Sequence, residues 1–254
     1  MSAPGRPKRS CSRSAGAGRR PQGVARVWWR VLAAAWLVGW SAVSVAADLT
    51  ALEQRWLQGA WPVLQHAKAS GLPLDVVVQP QASEGLAPLA MAFIDGRCKL
   101  VLSTRGNAAA QSMLGNVAPE LHDAALELMA AHELGHCLRH VAGRWQVRPL
   151  NFAPMYPVAL SDAQRADYAQ MQATRLEEGF ADLVGLAWIR HARPAQYTAL
   201  YRWLVRERVN ELLPGSHHDT LAWLRLAADG HALQMQRSPF AADALWARGF
   251  LGSE

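Results

Sequence analysis

From Asp48 to about Lys68 the apolar residues Leu49, Leu52, Trp56, Leu57, Trp61 and Leu64 recur mostly at three- and four-residue spacings, the pattern of one face of a helix. The period then changes. Asp75 to Gln79 is a valine run between polar ends, and Leu89–Ile94 and Cys98–Ser103 flank Asp95-Gly96, so three strands are expected, the last two closed into a hairpin by the Asp-Gly pair. After the loop Arg105-Gly106-Asn107, the stretch from about Pro119 to Val141 has no internal proline and predicts one long helix. Pro149, Pro154 and Pro157 then break the chain into an irregular segment holding Phe152 and Tyr156. Ser161 is placed to cap a second long helix, broken or bent, that runs to about Ala192. Further helical patterns run from about Ala195 to Leu213, His218 to Asp229 and Ala241 to Gly249, with Pro214-Gly215 as a break. Sequential strands followed by helices predict an α+β domain, a small and mainly antiparallel sheet leading into a helical bundle.

The first 47 residues do not share this patterning. Arg6, Lys8, Arg9, Arg13, Arg19, Arg20, Arg26 and Arg30 occur with no acidic residue, and an apolar run follows from Val31 to Ala47. That is the charge-then-apolar layout of a secretory signal, and Ser44, Ala46 and Ala47 offer a small-residue cleavage site. The expectation is therefore a leader over residues 1–47, one domain over 48–254, and an exported, periplasmic protein. The alternative is an uncleaved anchor giving membrane association, with Trp28, Trp29, Trp36 and Trp40 at the interfaces, although the apolar run is barely long enough to span. Arg19-Arg20 is followed by Pro21, Gln22 and Gly23 rather than apolar residues, which is a poor twin-arginine signal.

Charge changes once the leader is set aside. The whole chain has a formal net charge of +6, but eight of its 26 basic residues lie in the leader, leaving 18 against 20 acids, a net −2. Nucleic-acid binding thereby loses its electrostatic basis. Of three cysteines, Cys98 and Cys137 remain. In an oxidising compartment, with Cys98 opening a strand beside the helix that carries Cys137, a disulfide between them is expected.

The candidate chemistry begins at Ala131-His132-Glu133-Leu134-Gly135-His136, an H-E-x-x-H pattern. Residues four apart share a helix face, so His132 and His136 can aim two imidazoles at one metal ion, with Glu133 beside the position of a bound water. The elongated pattern with a third histidine is absent, because Arg139 and Ala142 occupy the positions of its glycine and histidine. A third ligand must come from elsewhere. In Glu177-Glu178-Gly179-Phe180-Ala181-Asp182, Glu178 and Asp182 are four apart, so Glu178 can bind metal while Asp182 orients a ligand histidine through its second ring nitrogen. Glu177 has no such partner at that spacing.

From about Ala124 to Trp188 the chain resembles the gluzincins, in which a second helix supplies a glutamate ligand and an aspartate four residues on. The E-x-x-A-D form from Glu178 to Asp182 looks most like the family of CAAX prenyl proteases and heat-shock membrane proteases with their periplasmic relatives. The resemblance implies a zincin-like fold and a single Zn2+ held by His132, His136 and Glu178. The function it implies is an endopeptidase acting on exported or envelope polypeptides.

Two neutral imidazoles and one carboxylate leave a zinc position open for water and lower that water's pKa toward about 7, so Glu133 is cast as general base. The oxyanion needs a further donor; related gluzincins often place a catalytic His or Arg after the third ligand, so the resemblance implies the His217-His218 pair, His218 foremost, with Tyr156 and Arg225 as the other candidates. His140 continues the His132–His136 spacing, but three such histidines span about 12 Å of helix, too far for one ion, so it is assigned to packing. The strand Cys98–Ser103 is expected to lie along the cleft and pair with an extended substrate. The competing reading, from another class, is a non-catalytic zinc-holding binding or chaperone-like module.

Overall fold

Thr50 starts the fold with a capping box: its hydroxyl accepts from the Glu53 N–H while the Glu53 carboxylate accepts from the Thr50 N–H, opening helix α1 (Ala51–Ala69). The structure, a computed structural model, describes residues 48–79, 86–147, 160–210, 216–234 and 238–249, all within the compact unit Ala46–Glu254. The proposed leader, residues 1–47, lies outside them, as does the proline-rich segment with Phe152 and Tyr156. The buried stripe of α1 is not the one its large residues suggest. Trp56, Ala60, Val63, Leu64 and Ala67 are buried, whereas Trp61 is 55% exposed. The reason is close packing: a Cβ on Gly59 would lie 2.4 Å from the Leu126 side chain, so small residues make the contact with the later helix that carries Leu126.

Strands β1 (Leu74–Val78), β2 (Leu89–Ile94) and β3 (Arg97–Leu102) form one sheet in the order β1-β3-β2. The β2–β3 hairpin turns at Asp95 and Gly96, both at positive φ, as a tight two-residue turn requires. β1 joins the other edge of β3 in parallel, with Asp75 beside Lys99 and gripped by Arg97 and Lys99. The sheet is therefore mixed rather than mainly antiparallel. It also corrects the substrate-pairing expectation: β3 is the central strand with both edges hydrogen-bonded, so among the described residues the outer strand beside the helix that carries His132 is β2.

After β3, Asn107 caps a short helix α2 (Ala108–Gly115), a stretch the hydrophobic pattern did not mark. A 3-10 turn over Pro119–Leu121 leads into α3 (His122–Val141). α3 ends in a Schellman motif, in which Gly143 at positive φ donates to His140 O and the Arg144 N–H donates to Arg139 O. Helix α4 (Asp162–Ala192) opens with a Ser161/Gln164 capping box and runs for 31 residues without a break. The four remaining described helices are α5 (Tyr197–Asn210), α6 (Leu221–Leu226), α7 (His231–Gln234) and α8 (Asp243–Gly249).

α3 and α4 form the most extensive helix pair among the described residues, α3 being buried over most of its length and α4 over its second half. Their approach depends on Gly135, where a Cβ would sit 2.8 Å from Ala181 Cα. That glycine lies inside the H-E-x-x-H segment, so the same five residues supply the imidazoles and the close crossing that brings α4 to them. The result is an α+β molecule. Among the described residues, no helix is long and apolar enough to cross a membrane.

Candidate metal centre

Side chains four apart on α3 and α4 face one another across this crossing. His132 Nε2 lies 3.3 Å from Glu178 Oε2, and His136 Nε2 lies 3.5 Å from Glu178 Oε1. The three donor atoms fall within 4.8 Å of one another, so they could hold one cation. Two imidazole nitrogens and one carboxylate also match the donor chemistry of a zinc site with an open position.

Behind the tripod, His132 Nδ1 is hydrogen-bonded to Asp182 Oδ1 at 2.9 Å, which directs Nε2 toward the cluster. Asp182 is fully buried and accepts three further hydrogen bonds, two from Arg208 at 2.9 and 2.7 Å and one from the Thr220 hydroxyl at 2.6 Å. Burial alone would raise its pKa, but Arg208 and His132 outweigh that and hold it far below the usual carboxylate range. Glu178 follows the same logic: burial works against its charge, yet His132, His136 and Arg208 draw it down to about 2. Burial and the neighbouring His132 lower His136 to about 4, leaving a neutral imidazole with a free lone pair. His132 differs, because hydrogen bonds to Asp182 and Glu178 overcome its burial and raise it to about 10. A cation in the tripod would replace that proton.

Glu133, one residue on and turned by about 100°, has a carboxyl pushed up to about 7, chiefly by burial, although the Met91 backbone N–H of β2 donates to it. Glu133, both histidines and Glu178 line one cavity of about 700 Å³. Its walls are mostly apolar, with Trp56, Met91, Met113 and Trp203 among them, and its other polar members are Glu207, Arg208 and His218.

The remaining sequence-derived candidates divide. His218 does line the cavity, in a turn ahead of α6 rather than inside the helix expected to begin there. Arg225 is on α6 and is not among the cavity residues, and Tyr156 lies outside the described residues. His140 stacks on Phe93 with ring centroids 3.9 Å apart, a packing role. Cys98 and Cys137 are joined in a disulfide with Cα atoms 5.8 Å apart. It ties α3, directly after His136, to the central strand rather than to the edge beside the cleft.

Two residues escaped the sequence reading. Arg208 reaches within 3.8 Å of Glu178 besides holding Asp182, and Thr220 is fully buried against the same carboxylate. Arg208 had a signal: Leu200 and Leu204 are buried, and Arg208 continues their four-residue spacing, placing a cation on the inward face of α5. Thr220 had none beyond its position before α6.

Comparison of the chain with family models, with curated proteins and with solved structures finds no match.

Proposed function

We propose that this chain is an exported zinc-dependent endopeptidase with a zincin-like site, hydrolysing peptide bonds in exported or envelope polypeptides. The observation that carries the reading is the joint placement of a two-histidine, one-carboxylate tripod and a buried Glu133 in one cavity. His132, His136 and Glu178 would hold the zinc, and when bound it supplies a Lewis acid and a water acidic near neutral pH. Asp182 fixes the His132 ring so that Nε2 faces the donors of Glu178 and His136. The Glu133 carboxylate takes the proton of the attacking water and returns it to the leaving amine. Burial of Glu133, which favours its protonated form, supports the return of that proton. Arg208 and His218 supply donors on the cavity wall for the developing oxyanion or the substrate carbonyls. The outer edge of β2, whose Met91 N–H already faces Glu133, lies where an extended polypeptide can align.

The test is cleavage of an unstructured protein such as casein by the zinc-loaded chain and by Glu133→Gln. The variant is expected to keep stoichiometric zinc and lose about 10²- to 10⁴-fold in rate, the usual worth of a general base. Equal rates in the two proteins would sink the enzyme reading and favour a zinc-holding binding module.

A further inference from the structure

Beyond His136 the cavity ends at a wall of aromatic rings. Trp145, half-buried, sits 5.6 Å from the His136 ring at 79° and 5.0 Å from the Phe93 ring at 63°, both edge-to-face. Phe93 is held from behind by the stacked ring of His140. Phe93, His136 and Trp145 all line the cavity, so three rings meet in a concave corner next to a metal-ligand imidazole.

The segment carrying Trp145 is built into α4. Arg139 is 3% exposed and donates from Nε to Glu177 Oε2 at 2.6 Å, while its Nη2 donates to the carbonyls of Arg144 and Val147 at 2.9 and 3.1 Å. Glu177, fully buried, accepts the Gln146 N–H on its other oxygen at 2.7 Å. Gln146 adopts φ 56°, a conformation that disfavours residues with a Cβ, and the bond to Glu177 holds it there. A buried ion pair is costly to desolvate. Here its hydrogen bonds are directed at the two residues flanking Trp145 and at Val147.

We propose that Trp145, braced by Arg139 and Glu177 and backed by Phe93, is a specificity-determining residue: it forms a subsite for a planar aromatic side chain on the His136 side of the scissile bond. The inference rests on the metallopeptidase reading and names part of its substrate class. An incoming aromatic ring packed on this corner can repeat the edge-to-face geometry that Trp145 makes with Phe93 and with His136, which an aliphatic side chain cannot match. Glu177 and Arg139 act through Trp145 and touch no substrate.

Zinc-loaded protein and peptide hydroxamates make the test independent of turnover. Two series are needed, extending from the chelating group in opposite directions, each with a benzyl or a methyl side chain next to that group. In one series the benzyl compound should bind more tightly than burial of the same area on aliphatic surface gives, by roughly 3- to 10-fold. Trp145→Ala should remove this margin, Trp145→Phe should keep part of it, and Glu177→Gln should reduce it, all with wild-type zinc content. A wild type with no benzyl margin in either series, or a Trp145→Ala that keeps the margin, overturns the subsite while leaving the zinc site intact. A wild type that takes up no zinc overturns both the subsite and the metallopeptidase reading beneath it.

Discussion

Glu177 and Glu178 are neighbours on α4 and have opposite surroundings. Glu177 is sealed, with hydrogen bonds of 2.6 and 2.7 Å from Arg139 and the Gln146 N–H. Glu178 opens on the cavity, and its nearest imidazole nitrogens stand off at 3.3 and 3.5 Å, with Arg208 at 3.8 Å. The helix separates them by about 100°, which sends one into the body of the protein and the other to the facing histidines. A carboxylate closed off by short hydrogen bonds is a structural brace. Glu178 instead faces His132 and His136 from the cavity at longer range, where a cation could take the place of the His132 proton.

The largest effect should come from the brace. Arg139→Ala leaves Glu177 buried without its cation and removes the guanidinium that lies 4.0 Å over the Trp246 ring, so urea unfolding should show a loss of about 3 to 5 kcal/mol. A loss under about 1 kcal/mol would mean that Glu177 has found water or another partner, and the contrast with Glu178 would weaken.

Close behind is the disulfide, which fixes α3 to the sheet next to the tripod. Replacing both Cys98 and Cys137 by serine releases a bond that spans a sequence separation of 39, and the chain-entropy model puts the cost at about 3 to 4 kcal/mol. Zinc affinity should change less than stability, because α3 and α4 also meet at Gly135. The measurement is paired urea melts and zinc titrations.

Glu133 gives a smaller and pH-dependent effect. Its folded pKa of about 7 is above the ordinary 4.5, so the folded chain holds this proton more tightly than the unfolded chain. Its contribution is fully present below about 4.5 and is lost as pH rises through about 7. Metal-free protein should therefore lose on the order of 2 kcal/mol from this group between pH 4.5 and 8, and Glu133→Gln should lack that slope. Identical pH profiles for the two proteins would show that Glu133 is solvated.

The elements with strong periodicity are legible in the sequence. α1, α3, α4 and the Asp95-Gly96 hairpin fall within a few residues of expectation, because apolar spacing, capping residues and turn chemistry are local. What the sequence could not express was long-range. Nothing local tells β1 to join β3 in parallel, and that pairing makes β3 the central strand and β2 the outer strand beside α3 among the described residues. The buried stripe of α1 departs from its large apolar residues because a close crossing favours Gly59 and Ala60 over Trp61. The H-E-x-x-H and E-x-x-A-D spacings supply five side chains of the candidate site, His132, Glu133, His136, Glu178 and Asp182. The partners of Asp182, by contrast, come from α5 and the turn before α6, 26 and 38 residues away.

The most direct test of the contrast between the two glutamates is metal content by mass spectrometry of purified wild type, Glu178→Ala and Glu177→Gln. The geometry predicts one zinc per chain in wild type and in Glu177→Gln, and none retained in Glu178→Ala. Zinc lost from Glu177→Gln and kept in Glu178→Ala would contradict it and put the third ligand on the other glutamate.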